Sequence, residues 1–152
     1  MGIKEEIQQE KFSSNLQMAV VNLIYTANWM RDQQQHILKD YEILVQHYNV
    51  LRIVMGQDPK PAFPGQIKNV LLDKGRDLTR LIDKLVSLKY LNRNVCESNR
   101  RMVEIVITDQ GKKVANEIGK KLAKDMQKRF NLSEKEALQL SELLDKLRTG
   151  KY

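Results

Sequence analysis

The sequence predicts a mainly α-helical fold carrying one small β-hairpin. Three observations predict it. Leu78, Leu81, Ile82, Leu85 and Leu88 recur at the i, i+3, i+4, i+7 spacing that gathers them on one helix face. Beyond Tyr90-Leu91 the period changes, and Val103, Ile105 and Ile107 alternate with Glu104, Val106 and Thr108 as in a half-buried strand. Between them lies a polar segment, Asn94 to Arg101, that ends in two adjacent arginines, Arg100 and Arg101. Helix, strand, basic loop, strand is the outline of a winged helix-turn-helix. In that arrangement a helix enters a major groove of DNA and the loop reaches the neighbouring minor groove or backbone.

The chain in order supports this outline. Residues 2–11 are charged and polar and either fray or extend the first helix. From Phe12, the apolar positions Leu16, Ala19, Val20, Leu23, Ile24 and Ala27 predict a long amphipathic helix to about His36. A connection over Leu38 to Leu44 leads to a second helix, Gln46 to Met55, with Gly56 as its stop. The segment GQDPKPAFPG, Gly56–Gly65, holds all three prolines and reads as a loop. Pro64 suits the first turn of a short helix through Leu72. Asp73-Lys74-Gly75 is then the turn, with Gly75 a candidate for an unusual backbone angle. Thr108 reads as an N-cap, and Val114, Ile118, Leu122 and Met126 give a straight stripe on a long helix. Ser133 with Glu136 makes a capping box for a last helix to about Arg148, lined by Leu140, Leu143, Leu144 and Leu147.

Residues 1–152 are read as a single domain, with a head over 45–108 bracketed by helices over 12–36 and 109–149. Terminal helices richer in apolar surface than a small core needs predict an interface between two copies, alongside ordinary core packing. A net charge of +7 favours a polyanionic partner without identifying one. No run of 18 apolar residues predicts a membrane span, and MGIKEEIQQEK lacks an apolar signal core. One cysteine excludes an intramolecular disulfide, consistent with the cytoplasm.

Candidate contacts to double-stranded DNA are Lys74, Arg76, Asp77, Thr79, Arg80, Lys84, Asn99, Arg100 and Arg101. Arg76, Arg80 and Lys84 stand at successive i, i+4 steps opposite the apolar face, where like charges repel by roughly 0.2–0.5 kcal/mol per pair. Asp77 and Asp83 relieve some of this, and an external anion would relieve the rest. Thr79 suits a phosphate or a base edge, or a local cap. Arg100 and Arg101 also have a bland reading, as a solvated hairpin tip.

Catalytic chemistry is not indicated. There is no phosphate-binding glycine loop and no nucleophile elbow, so no enzyme and no cofactor is predicted. The two histidines, His36 and His47, have no partners at metal-ligand spacing, and no metal site is assigned. Cys96 fits a half-buried strand residue better than a redox sensor.

The run DLTRLIDKLVSLKYLNR, then NRR, then VEIVITDQGKKV resembles the multiple-antibiotic-resistance-regulator (MarR) family of bacterial transcription factors. Upstream, HYNVLRIVMG resembles the helix before that family's reading head. The family usually carries an aspartate before the paired wing arginines, where this chain has Asn99. The resemblance implies a homodimer interlocked through its terminal helices. It implies a ligand-responsive repressor on a pseudo-palindromic operator, and a small, often aromatic effector held between dimerisation helices and head. Tyr25, Trp29, Tyr41 and Tyr48 are candidates for such a crevice and equally for ordinary core packing, so no ligand residues are assigned. The alternative is a winged-helix module that binds a protein and not DNA.

Overall fold

The computed structural model describes residues 1–150. The last two residues of the predicted domain, Lys151 and Tyr152, lie outside the described residues. The chain forms two compact units, Met1–Ile118 and Gly119–Tyr152.

The first unit opens with a single-turn helix α1 (Ile3–Glu6), separate from the long α2 (Asn15–Leu38). α2 starts three residues later than Phe12, because the Ser14 hydroxyl accepts the Gln17 N–H at 3.0 Å and sets the N-cap. It runs two residues past His36, and its last residue, Leu38, is its one buried side chain. The expected connection contains a 3-10 turn over Lys39–Tyr41.

Helix α3 (Val45–Gln57) forms the middle of the core through Val50, Leu51 and Val54. Gly56 does not stop it; the helix continues through Gln57. Pro59 is the cause of the stop, since a residue before proline is driven out of the helical region. Asp58 is accordingly extended, at φ −52 and ψ 133. Helix α4 (Pro64–Val70) begins at proline as expected. The segment before it is more than a loop. Ala62 bridges Ile105, with two N–H···O=C bonds of 2.8 Å, and adds a one-residue third rung to the hairpin.

Helix α5 (Leu78–Ser87) buries Leu78, Leu81, Ile82 and Leu85 as its spacing predicts. It ends in two reciprocal bonds, Tyr90 N–H to Leu85 C=O and Lys89 N–H to Val86 C=O, each 2.9 Å. This Schellman motif requires a left-handed residue, and Lys89 occupies that place with φ 62. A left-handed conformation costs a residue with a Cβ roughly 1–2 kcal/mol, a cost glycine escapes. Lys89→Gly is therefore expected to raise stability by up to about 1 kcal/mol, after the extra chain entropy of glycine is deducted. A urea midpoint that falls would show that the lysine side chain stabilises the turn.

Strands β1 (Leu91–Val95) and β2 (Val103–Ile107) pair antiparallel, from Leu91 opposite Ile107 to Val95 opposite Val103. Ile105 and Ile107 are buried; in β1 only Leu91 is. Helix α6 (Asp109–Arg129) follows without a break. Thr108 caps it as expected, its hydroxyl accepting the Gly111 N–H at 2.9 Å while donating to the Lys89 carbonyl at 2.7 Å.

The second unit contains the end of α6 and helix α7 (Glu134–Arg148), which opens with the predicted capping box. Ser133 N–H donates to Glu136 Oε2 at 2.8 Å, and the Ser133 hydroxyl does the same at 2.7 Å. These bonds hold the Glu136 carboxyl below its ordinary range. No residue of α7 is buried, and Leu138, Leu140, Leu143 and Leu147 are exposed. No helix among the described residues is long and apolar enough to cross a membrane.

Candidate nucleic-acid interface

The reading segment is built outward from α5. Its apolar side is fixed in the core, so Thr79, Arg80, Asp83, Lys84 and Ser87 face outward and are exposed. Asp77 is the N-cap: its Oδ1 accepts the Arg80 backbone N–H at 3.3 Å. The helix therefore starts after Arg76, and the expectation of three cations repelling along one helical stripe is wrong at its first member. Arg76 lies in the turn and pairs with Asp73, Nε to Oδ2, at 3.3 Å. Arg80 forms an ion pair with Asp77 at the same distance, Nε to Oδ2, 3.3 Å. The turn itself forms at Lys74-Gly75 and closes with the Arg76 N–H on the Asp73 carbonyl at 3.4 Å. Gly75 lies outside the left-handed region, contrary to the expectation of an unusual angle there. Lys74 is exposed beside it.

Sequence reasoning missed one basic residue of the head. Arg93, on β1, donates from Nη2 to Asp83 on α5 at 2.6 Å and ties the hairpin to the reading helix. The two residues are ten apart on different elements, so no periodic signal joins them.

The hairpin continues past the strands, with Cys96 N–H donating to the Met102 carbonyl at 3.0 Å. Its tip is shaped by Asn99. The Asn99 side-chain oxygen accepts the Arg101 backbone N–H at 3.1 Å, and its carbonyl accepts the Met102 N–H at 2.8 Å. The Asn99 amide is thus turned to the backbone and not to a guanidinium. Arg100 and Arg101 are exposed, and among the described residues neither forms an ion pair. Cys96 is buried at the base of the tip, its Sγ 3.1 Å from the Ser98 hydroxyl.

Within the head, on α3, His47 accepts the Leu44 N–H on Nδ1 at 2.9 Å and is buried. An acceptor Nδ1 requires the neutral ring. Burial and the nearby Lys84 ammonium hold the His47 pKa below its ordinary 6.5. The unfolded chain then binds the extra proton first, so stability present above about pH 6.5 is lost as pH falls towards the folded value. His47→Gln keeps an acceptor that can reach back at this position but does not titrate. It is expected to flatten the fall in denaturation midpoint between pH 7 and 5; an unchanged fall would assign it to other groups.

A crevice of about 270 Å³ lies between α2 and α3, lined by Ala27, Met30 and Gln34 on one side and Gln46 and Asn49 on the other, with Asp73 at its end. The candidate aromatics do not line it. Tyr25 and Trp29 instead face a hollow against α1, where the Tyr25 hydroxyl donates to Glu6 Oε2 at 2.9 Å.

No family model matches the chain. A curated relative does: the helix-turn-helix transcriptional regulator SarZ of Staphylococcus aureus is 33% identical over 111 residues, covering 73% of this chain and 71% of SarZ. The chain belongs to the MarR family. The apo crystal structure of Escherichia coli MarR agrees, at 26% identity and a TM-score of 0.61 over 83% of this chain and 94% of that one. A Cys-to-Ser variant of E. coli MarR complexed with operator DNA shares the fold, at 24% identity and a TM-score of 0.70 over 97% and 99% of the two chains. As a MarR family member the chain is a transcriptional regulator and not an enzyme.

Proposed function

We propose that this MarR family protein binds a pseudo-palindromic operator as a homodimer in the cytoplasm and represses transcription from it. The observation that carries this is the pairing of two basic elements in one head. An exposed helix face bears Thr79, Arg80 and Lys84, with Lys74 and Arg76 in the turn before it, and an exposed hairpin tip bears Arg100 and Arg101, which have no ion-pair partner among the described residues. A helix and a basic loop of this kind suit one duplex, the helix in the major groove and the loop at the minor groove or backbone. That an E. coli MarR variant of the same fold is found complexed with operator DNA supports a duplex as the partner. Asn99 shapes the wing tip for this contact and Asp77 the helix start. Exposed Leu16, Val20 and Ile24 on α2 of the first unit are one surface a second copy would cover, and Leu140, Leu143 and Leu147 on α7 of the second unit are another. The crevice between α2 and α3 would take a small, largely apolar or aromatic effector that alters operator affinity.

Selection of bound sequences from random duplexes tests this reading. Enrichment of an inverted repeat, with half-sites about one helical turn or ~34–36 Å apart, is expected. Recovery of sequences no different from the starting pool would reject it in favour of a module that binds protein.

A further inference from the structure

The three arginines paired to aspartates in the head are not paired alike. Arg76 and Arg80 both present Nε, the guanidinium nitrogen nearest the main chain, to their aspartate at the same i, i+3 spacing and the same 3.3 Å, Arg76 with a hydrogen bond and Arg80 as an ion pair. Arg93 contacts Asp83 through the terminal nitrogen Nη2, at 2.6 Å. The difference bears on what each guanidinium still offers. An Arg has five N–H donors in a planar fork. When Nε–H faces a carboxylate, the two terminal nitrogens remain as a pair of parallel donors directed away from the chain. That edge matches the O6 and N7 acceptors of guanine in the major groove. A guanidinium held at a terminal nitrogen, as Arg93 is, already has one of the two nitrogens of that edge engaged with the protein.

The supports are themselves fixed. Asp77 divides its oxygens, Oδ1 accepting the Arg80 backbone N–H and Oδ2 lying 3.3 Å from Arg80 Nε as an ion pair, so the cap that starts the helix also places a charge beside the side chain. Asp73 receives Gln46 Nε2 at 3.4 Å from the buried side of α3 as well as Arg76 Nε. Arg80 remains largely exposed, at 87% of its side chain, and is open to a ligand.

We infer that Asp73 and Asp77 are specificity-determining positioning residues that hold Arg76 and Arg80 by Nε, so that each reads one guanine, while Arg93 reads none. This rests on the proposed DNA reading and deepens it. The aspartates serve discrimination and not affinity. Each adds negative charge near the phosphates, which weakens binding to every duplex, and each restrains a guanidinium that would otherwise swing to a phosphate and bind without regard to sequence.

The test is the random-duplex selection repeated with variants, followed by affinities for duplexes substituted at single positions. Wild type should select two guanines per half-site, each preferred over adenine by roughly five- to a hundredfold. Asp77→Asn keeps the N-cap, since Asn caps as well as Asp. It should cut the preference at one guanine to under about threefold, leave the other intact, and raise affinity for random duplex. Asp73→Asn should do the same at the other guanine, and Arg93→Ala should alter no base preference. A wild-type consensus without these guanines overturns the inference, and so does an Asp77→Asn selection identical to wild type. So would a uniform loss on all duplexes, which would make the aspartates structural only. If wild type enriches no sequence at all, the DNA reading itself fails and carries this inference with it.

Discussion

Gly111→Ala is expected to cost about 3 kcal/mol or more, enough to remove much of the stability of a chain of this size. A Cβ at Gly111 would lie 2.1 Å from the Tyr90 carbonyl oxygen, 3.0 Å from its carbon and 2.9 Å from Ile107 Cγ1. Two of these atoms are backbone and cannot rotate away. The Tyr90 carbonyl is also engaged, accepting the Thr108 N–H at 3.0 Å. Relief would require the start of α6 to back off the base of the hairpin. That movement would break the Thr108 cap and tilt the wing, so operator affinity should fall with stability. Gly56→Ala is the contrasting substitution. Nothing lies within 4 Å of a Cβ there, and the residue is inside α3. Helix propensity then predicts a gain of roughly 0.5–1 kcal/mol. Urea denaturation of both variants checks the pair, and similar midpoints for the two would contradict the close approach of α6 to Tyr90.

Replacing both Arg100 and Arg101 by alanine is expected to give the largest functional loss. Neither arginine forms an ion pair among the described residues, so both are available to the duplex without one being broken there. Two lost phosphate contacts lower the slope of log K against log salt by about two units per head. The central consensus should be unchanged, because backbone contacts position the protein without reading sequence. A double variant with an unchanged salt slope would take the wing off the DNA.

What was legible in the sequence was local. The face of α5 follows from Leu78, Leu81, Ile82 and Leu85 alone, and the caps at Thr108 and Ser133 rest on a side chain and a backbone group three residues apart. Two boundaries failed because one local cue outranked another. Gly56 looked like a stop, but Pro59 acts more strongly by removing Asp58 from helical space. Arg76 was counted on the helix, but the Asp77 cap starts the helix one residue too late for it. What depends on pairing was not legible. In β1 four of five residues are exposed, so no alternation marks the strand, and only its ladder with β2 defines it. Ala62 joins the hairpin through two backbone bonds inside a proline-rich stretch, which leaves no side-chain trace. The candidate DNA contacts were legible as types and positions, but their partners were not. The sequence suggested unmatched cations awaiting an anion, whereas Arg76 and Arg80 each carry their own aspartate, and among the described candidate contacts Lys74, Lys84 and the two wing arginines form no ion pair.

The central claim is that helix face and wing together read one duplex. The most direct test compares the affinity of the intact protein for the selected inverted repeat with that for a scrambled duplex of equal length, at one physiological salt concentration. The account predicts a ratio of roughly a thousandfold or more, as for specific over non-specific binding. Equal affinity for the two duplexes would contradict it.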